Sequence, residues 1–213
     1  MKDKPSEWIA ISDLMAGVMA VVMLLLVISV LQKSYAEMKH KEAMAQGRDP
    51  RQVKMKAMMG ELQSSLSTAA SEGMVALDMS GQKITLRDGV FARGSACVTD
   101  QSRTAFASIR STLTTFLADF PDGRIYVEGH TDDRPVFKPV TDYVKFCTVY
   151  DDNFTLSAAR AREARKLLTS GLDDERSKRV VVAGYGDSQP LARVPAGDSQ
   201  QRRIEIRLVI PEK

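Results

Sequence analysis

The hydrophobic pattern of the chain changes character twice. From Trp8 to Leu31 it is an almost continuous apolar run. A helix of about 20 such residues spans a bilayer, so the run predicts a transmembrane helix over 8–31. Its apolar core is too long for a signal peptide, and no small-residue cleavage site follows Leu31. An uncleaved anchor is therefore expected, preceded by a short N-terminus, 1–7. Residues 32–71 are rich in Lys, Glu, Gln, Ala, Met and Ser and read as a helical connector. Gln32–Gln46 continues the helix, and Gly47, Asp49 and Pro50 break it. Val53–Leu66 returns to helical composition. Met55, Met58, Met59, Leu62 and Leu66 fall on one stripe there, which reads as a packing face, with the connector of a second copy as one possible partner.

Beyond residue 72 the pattern becomes globular. Met74–Met79 and Lys83–Arg87 read as strands around a Ser80-Gly81 turn. Gln101–Asp119 is a helix whose apolar face carries Phe106, Ile109, Leu113, Phe116 and Leu117. Phe120-Pro121-Asp122-Gly123 stops it. Arg124–Glu128 alternates as a strand. Leu156–Thr169 reads as a helix with Ser157 as N-cap. Arg179–Ala183 and Arg203–Val209 are the last strands. The predicted class is α/β: one membrane helix, a helical connector and a C-terminal α/β sandwich over 72–213.

Asp13 interrupts this simple picture. A carboxylate within an apolar span costs roughly 2.5 kcal/mol or more, which marks it as functional by default. The span supplies no basic partner. Low dielectric penalises the charged form, so the group suits uptake and release of a proton, or the holding of a small cation; proton is the preferred reading. Alternatively, Asp13 marks the water interface and the span begins at Leu14. Ala16, Gly17 and Ala20 share its helix face at three- and four-residue spacing. Small residues let helix backbones approach closely, so partner helices from other chains are expected against that face.

Charge adds little. Lys2 and Lys4 before the span nearly balance Lys33, Lys39 and Lys41 after it, so orientation stays open. A net charge of +3 is too small to argue for nucleic acid. The two His lack ligand-spaced companions, which argues against a metal at His130, Asp132 and Asp133. No nucleophile–base constellation or cofactor motif is present, so neither an enzyme nor a cofactor is expected. Cys97 and Cys147 both follow the span. In an oxidising compartment they would pair; the other option is two free, buried thiols.

Four motifs carry a family resemblance. Ile125-Tyr126-Val127-Glu128-Gly129-His130-Thr131-Asp132, Asn153 through Ala161, Gly184-Tyr185-Gly186 through Pro190, and Arg202-Arg203-Ile204-Glu205-Ile206 occur in this order. Together they resemble the OmpA C-terminal domain, a peptidoglycan-binding module, over about 72–210. With the single span and its Asp, the whole chain resembles MotB-type stator subunits. The wording Ile11-Ser12-Asp13-Leu14-Met15-Ala16-Gly17-Val18-Met19 resembles ZorB-type subunits of Zorya anti-phage defence more than flagellar MotB.

The resemblance implies a homodimer in the bacterial inner membrane, with its C-terminal domain periplasmic. It implies a MotA-like, ZorA-type multi-span partner, with Asp13 carrying the translocated ion. It also implies that Asp132 and Arg160 hold the diaminopimelate of a peptidoglycan stem, with Asn153, Thr155 and Leu156 shaping the pocket wall. That chemistry suits a zwitterion, since a carboxylate accepts from an ammonium and a guanidinium fork grips a carboxylate. On the expected helix boundary Arg160 sits in the first turn, where free backbone N–H groups favour an anion. The segment Arg134–Asp152 is longer than in many members. A flagellar-type stator and a passive envelope tether are the alternative functions.

Overall fold

The computed structural model describes residues 7–46, 50–71 and 73–211. Residues 1–6 of the expected N-terminus, Gly47 and Asp49 of the expected break, and the Asp13 side chain lie outside the described set. The chain divides into two compact units, Met1–Val53 and Lys54–Lys213.

The first unit is built on α1 (Glu7–Gln46). Its stretch Leu14–Lys39, 26 residues, is long and apolar enough to cross a membrane. At 1.5 Å per residue that stretch is about 39 Å long, more than a hydrocarbon core requires. Leu, Val, Met and Ile cover it on every side and are exposed, as are Ala16, Gly17 and Ala20. A helix apolar all round needs either a core or a lipid phase.

The second unit begins at Lys54, within the helix Pro50–Ser65 and earlier than the sequence suggests. Pro50, expected within the break, opens α2 (Pro50–Ser65), where its fixed φ and missing N–H are tolerated. Met55, Met58, Met59 and Leu62, with Leu66 just beyond, are buried in the same hydrophobic cluster as the sheet. These residues therefore belong to the C-terminal unit and not to a connector ending at residue 71. The polar background of this segment disguised it, although the three- and four-residue stripe was visible. A short α3 (Ser67–Ser71) leads into the sheet.

The sheet has five strands: β1 (Val75–Asp78), β2 (Lys83–Arg87), β3 (Arg124–His130), β4 (Val180–Gly184) and β5 (Arg203–Val209), in the order β1-β2-β5-β3-β4. All neighbours are antiparallel except β3 and β4. Residues of one parity point one way from each strand. Ile84, Leu86, Ile125, Val127, Ile204 and Ile206 form the apolar face and are buried. They pack in one cluster with the apolar stripes of α4 (Arg103–Asp119) and α6 (Asn153–Leu168). The opposite parity carries a charged lattice, in which Arg207 donates to Glu128, Arg203 to Glu205, and Lys83 pairs with Glu205. The two shorter helices are α5 (Tyr143–Phe146) and α7 (Asp174–Lys178).

Two glycines set how closely α6 lies on the sheet. Gly129 and Gly184 are register partners on β3 and β4. A Cβ on Gly129 would meet the Ser157 carbonyl oxygen at 2.0 Å, and one on Gly184 would meet Ala158 at 2.6 Å. Both contacts are with backbone or rigid atoms, so no larger residue fits. This approach fixes the N-terminal half of α6 beside the end of β3.

Candidate functional site

Beyond the end of β3 the chain turns into a cleft of about 480 Å³. Thr131 and Asp132 enter it directly from the strand. Asn153, Leu156 and Arg160 reach it from α6, Asp88 and Gly94 from the segment after β2, and Arg202 from just before β5. Residues far apart in sequence meet here because β3 and β5 are sheet neighbours and α6 packs over β3 and β4.

Asp132 and Arg160 therefore line one cleft. Asp132 is 7% exposed and its Oδ2 accepts from Arg202 Nη1 at 2.6 Å. The other arm of Arg202 donates to Asp88 Oδ2 at 2.7 Å. These bonds, Asp88 first, raise the Arg202 pKa above its ordinary value. Arg160 is 4% exposed. Its single hydrogen bond among the described residues runs from Nε to the Ser95 carbonyl at 2.9 Å, and its guanidinium lies over the Phe91 ring. Burial pushes its pKa down, opposed most by the charge of Asp88. A guanidinium buried without an ion-paired carboxylate is costly, and an incoming anion would relieve that cost. The lining carries five cations (Arg93, Arg134, Lys138, Arg160, Arg202) against two carboxylates (Asp88, Asp132), and both carboxylates already share Arg202.

Three expectations change. α6 begins at Asn153, with Asp152 as its cap accepting from the Thr155 N–H. Ser157 is no cap: its buried hydroxyl donates to the Phe154 carbonyl and accepts from the Gly186 N–H. Arg160 therefore sits about two turns into the helix, beyond the free N–H groups of its first turn. Thr155 does not reach the cleft. It lines a separate shallow hollow with Tyr143, Val149 and Arg162, because adjacent helix positions diverge by about 100°. Asn153 serves as scaffold, since its Nδ2 donates to the carbonyls of Asp132 and Arg134.

Asp88, Ser95, Thr131 and Arg202 were not singled out from sequence. Arg202 lies inside the Arg202-Arg203-Ile204 motif, which was the available signal. Thr131 Oγ1 is buried and has no partner among the described residues, leaving a hydroxyl for a ligand. Cys97 and Cys147, 50 residues apart, form a disulfide.

His130, next to the cleft, is 2% exposed and neither ring nitrogen has a partner among the described residues. It stacks on Tyr185. Burial, then the Arg203 charge, lowers its pKa from 6.5 to about 4, with Glu205 opposing. The unfolded chain thus binds more protons between these values. The stability this group contributes is complete above pH 6.5 and is lost as pH falls toward 4, about 3 kcal/mol in all. His130→Phe should flatten that part of the pH dependence. Urea midpoints at pH 7 and 4.5 that fall equally for parent and variant would refute it.

Comparisons with known proteins place the fold. The OmpA family model matches residues 90–203. The uncharacterized protein YtxE of Bacillus subtilis (strain 168) is 33% identical over 132 residues, 61% of this chain and 48% of that protein. The chain thus spans about half the length of this relative. The cell wall anchor of the T6SS from Pseudomonas aeruginosa superposes with a TM-score of 0.53 at 28% identity, over 71% of this chain and 97% of that one. A MotB-like protein from Desulfovibrio vulgaris gives 0.57 at 19% identity, over 75% and 96%, a likeness of fold alone. Because the family match takes in more than half of the chain and every strand from β3 to the start of β5, the chain belongs to the OmpA family.

Proposed function

We propose that the C-terminal unit grips peptidoglycan through the diaminopimelate of its stem peptide. The observation that carries this reading is the pairing, in one cleft, of the Asp132 carboxylate with a buried Arg160 guanidinium that makes no ion pair among the described residues. Asp132 would take the ligand's ammonium and Arg160 its carboxylate. The 28% identity to a cell wall anchor supports the same reading. A disulfide suits an oxidising compartment, which favours a periplasmic domain and a cytoplasmic N-terminus.

The finer reading is an ion-driven stator subunit of the inner membrane, acting in anti-phage defence of the Zorya type. It rests on Asp13 and the span. Two copies of α1 would be enclosed by a MotA-like, ZorA-type partner, with Ala16, Gly17 and Ala20 at the contact and Asp13 carrying the proton. The wall attachment would then hold the motor still while its partner moves.

Asp132→Ala and Arg160→Ala are each expected to weaken binding at least tenfold. A hydrogen bond to a charged group contributes about 1.5–3 kcal/mol. The measurement is co-sedimentation of the detergent-solubilised chain with purified sacculi. If both variants sediment as well as the parent, the ligand site lies elsewhere.

A further inference from the structure

The Arg160 guanidinium is aimed by a loop, and that loop is held by a covalent bond. Residues 91–98 form a tight turn, bridged Phe91 to Val98 and closed by the Ala92 N–H to Cys97 and Cys97 N–H to Ser95 Oγ bonds. Ser95 is 2% exposed, and its carbonyl is the acceptor for Arg160 Nε.

The turn is gripped by a segment about 50 residues later in the sequence. The Phe146 carbonyl accepts from both Ala96 N–H and Ser95 Oγ. Tyr150 Oη donates to the Gly94 carbonyl. Cys147 closes the grip through its disulfide to Cys97. Cys147 also ends α5 with φ at +54°, a left-handed conformation that favours glycine. A cysteine there is explained by the cross-link and not by backbone preference.

We propose that the Cys97–Cys147 disulfide is a positioning element of the ligand cleft, locking the loop that supplies the one acceptor of Arg160 among the described residues. The inference rests on the peptidoglycan reading only for its effect on binding; its effect on Arg160 stands apart. Cutting the bond frees the Phe146–Cys147 corner from the Ser95 loop. The Ser95 carbonyl then wanders, and the guanidinium loses its fixed orientation while staying charged.

The test compares the full chain in detergent micelles with its Cys97→Ser, Cys147→Ser double variant. Two quantities are read: solvent exchange of the Arg160 Nε–H by NMR, and affinity for a diaminopimelate-containing muropeptide. In the parent the Nε–H should be protected. In the variant, exchange should quicken and the dissociation constant should rise about fivefold, part of what a hydrogen bond to a charged group contributes. Unchanged exchange, or faster exchange with unchanged affinity, overturns the proposal. Weaker binding with exchange unaltered also overturns it, because the loss would then not pass through Arg160.

If the double variant does not fold, reduction of the disulfide in the folded parent with a phosphine, followed at once by the same two measurements, decides. Both signals should move the same way; no movement of either, or loss of the fold on reduction, overturns the proposal. A parent that fails to bind muropeptide refutes the peptidoglycan reading, while the exchange comparison still judges the latch.

Discussion

A fragment beginning at residue 72 will not fold, whereas one beginning at Pro50 will. Met55, Met58, Met59, Leu62 and Leu66 are at most 7% exposed and lie in the core shared with the sheet. Fully burying an apolar side chain contributes about 1.5–3 kcal/mol. Removing all five therefore costs roughly 7–15 kcal/mol as an upper bound. A domain's whole stability is about 5–15 kcal/mol, so even half that loss leaves little. The Lys54–Asp119 ion pair, with its lysine half exposed, hardly enters the comparison. Thermal unfolding followed by near-UV circular dichroism is the check. A cooperative transition in the shorter fragment, within about 5 °C of the longer one, would show that α2 is dispensable; 1 kcal/mol moves such a midpoint by only a few degrees.

The second large effect is expected from Asp13→Asn, which should abolish activity while leaving insertion and wall attachment intact. The amide is nearly isosteric with the carboxylate but cannot cycle between charged and neutral forms. That cycle is what a membrane potential drives, with about 2.3 kcal/mol per charge per 100 mV. A passive tether has no use for it. The readout is phage protection in cells making the chain together with its MotA-like partner, with sacculus attachment measured in parallel. Full protection by the variant would remove the ion-carrier reading and leave the tether.

The sequence disclosed those elements whose periodicity is clean. The sequence bounds of Lys83–Arg87 and Arg203–Val209 are those of the structure, because Ile84 and Leu86 alternate with Lys83, Thr85 and Arg87, and Ile204, Ile206 and Leu208 with Arg203, Glu205 and Arg207. The start of α6 was missed because Asp152 and Asn153 look like loop residues, while Ser157 has cap chemistry but spends its hydroxyl on Phe154 and Gly186. Asp132 and Arg160, which line one cleft, each stand inside a motif. Arg202 was inside a motif, yet its partners Asp132 and Asp88 lie 70 and 114 residues away, a distance local patterning does not bridge. Thr155 lines a different hollow from Asn153 and Leu156, because a string of neighbours in sequence diverges in direction once wound into a helix.

The strand order also has a consequence for how the protein is made. β5 is the latest of the five strands in the chain, yet it sits in the middle of the sheet, hydrogen-bonded to β2 on one side and β3 on the other. Until it arrives, the β1–β2 hairpin and the β3–α6–β4 unit lack the strand that joins them. An isolated hairpin is marginal at best in water. During synthesis the sheet therefore stays in two unjoined parts until its closing strand leaves the ribosome.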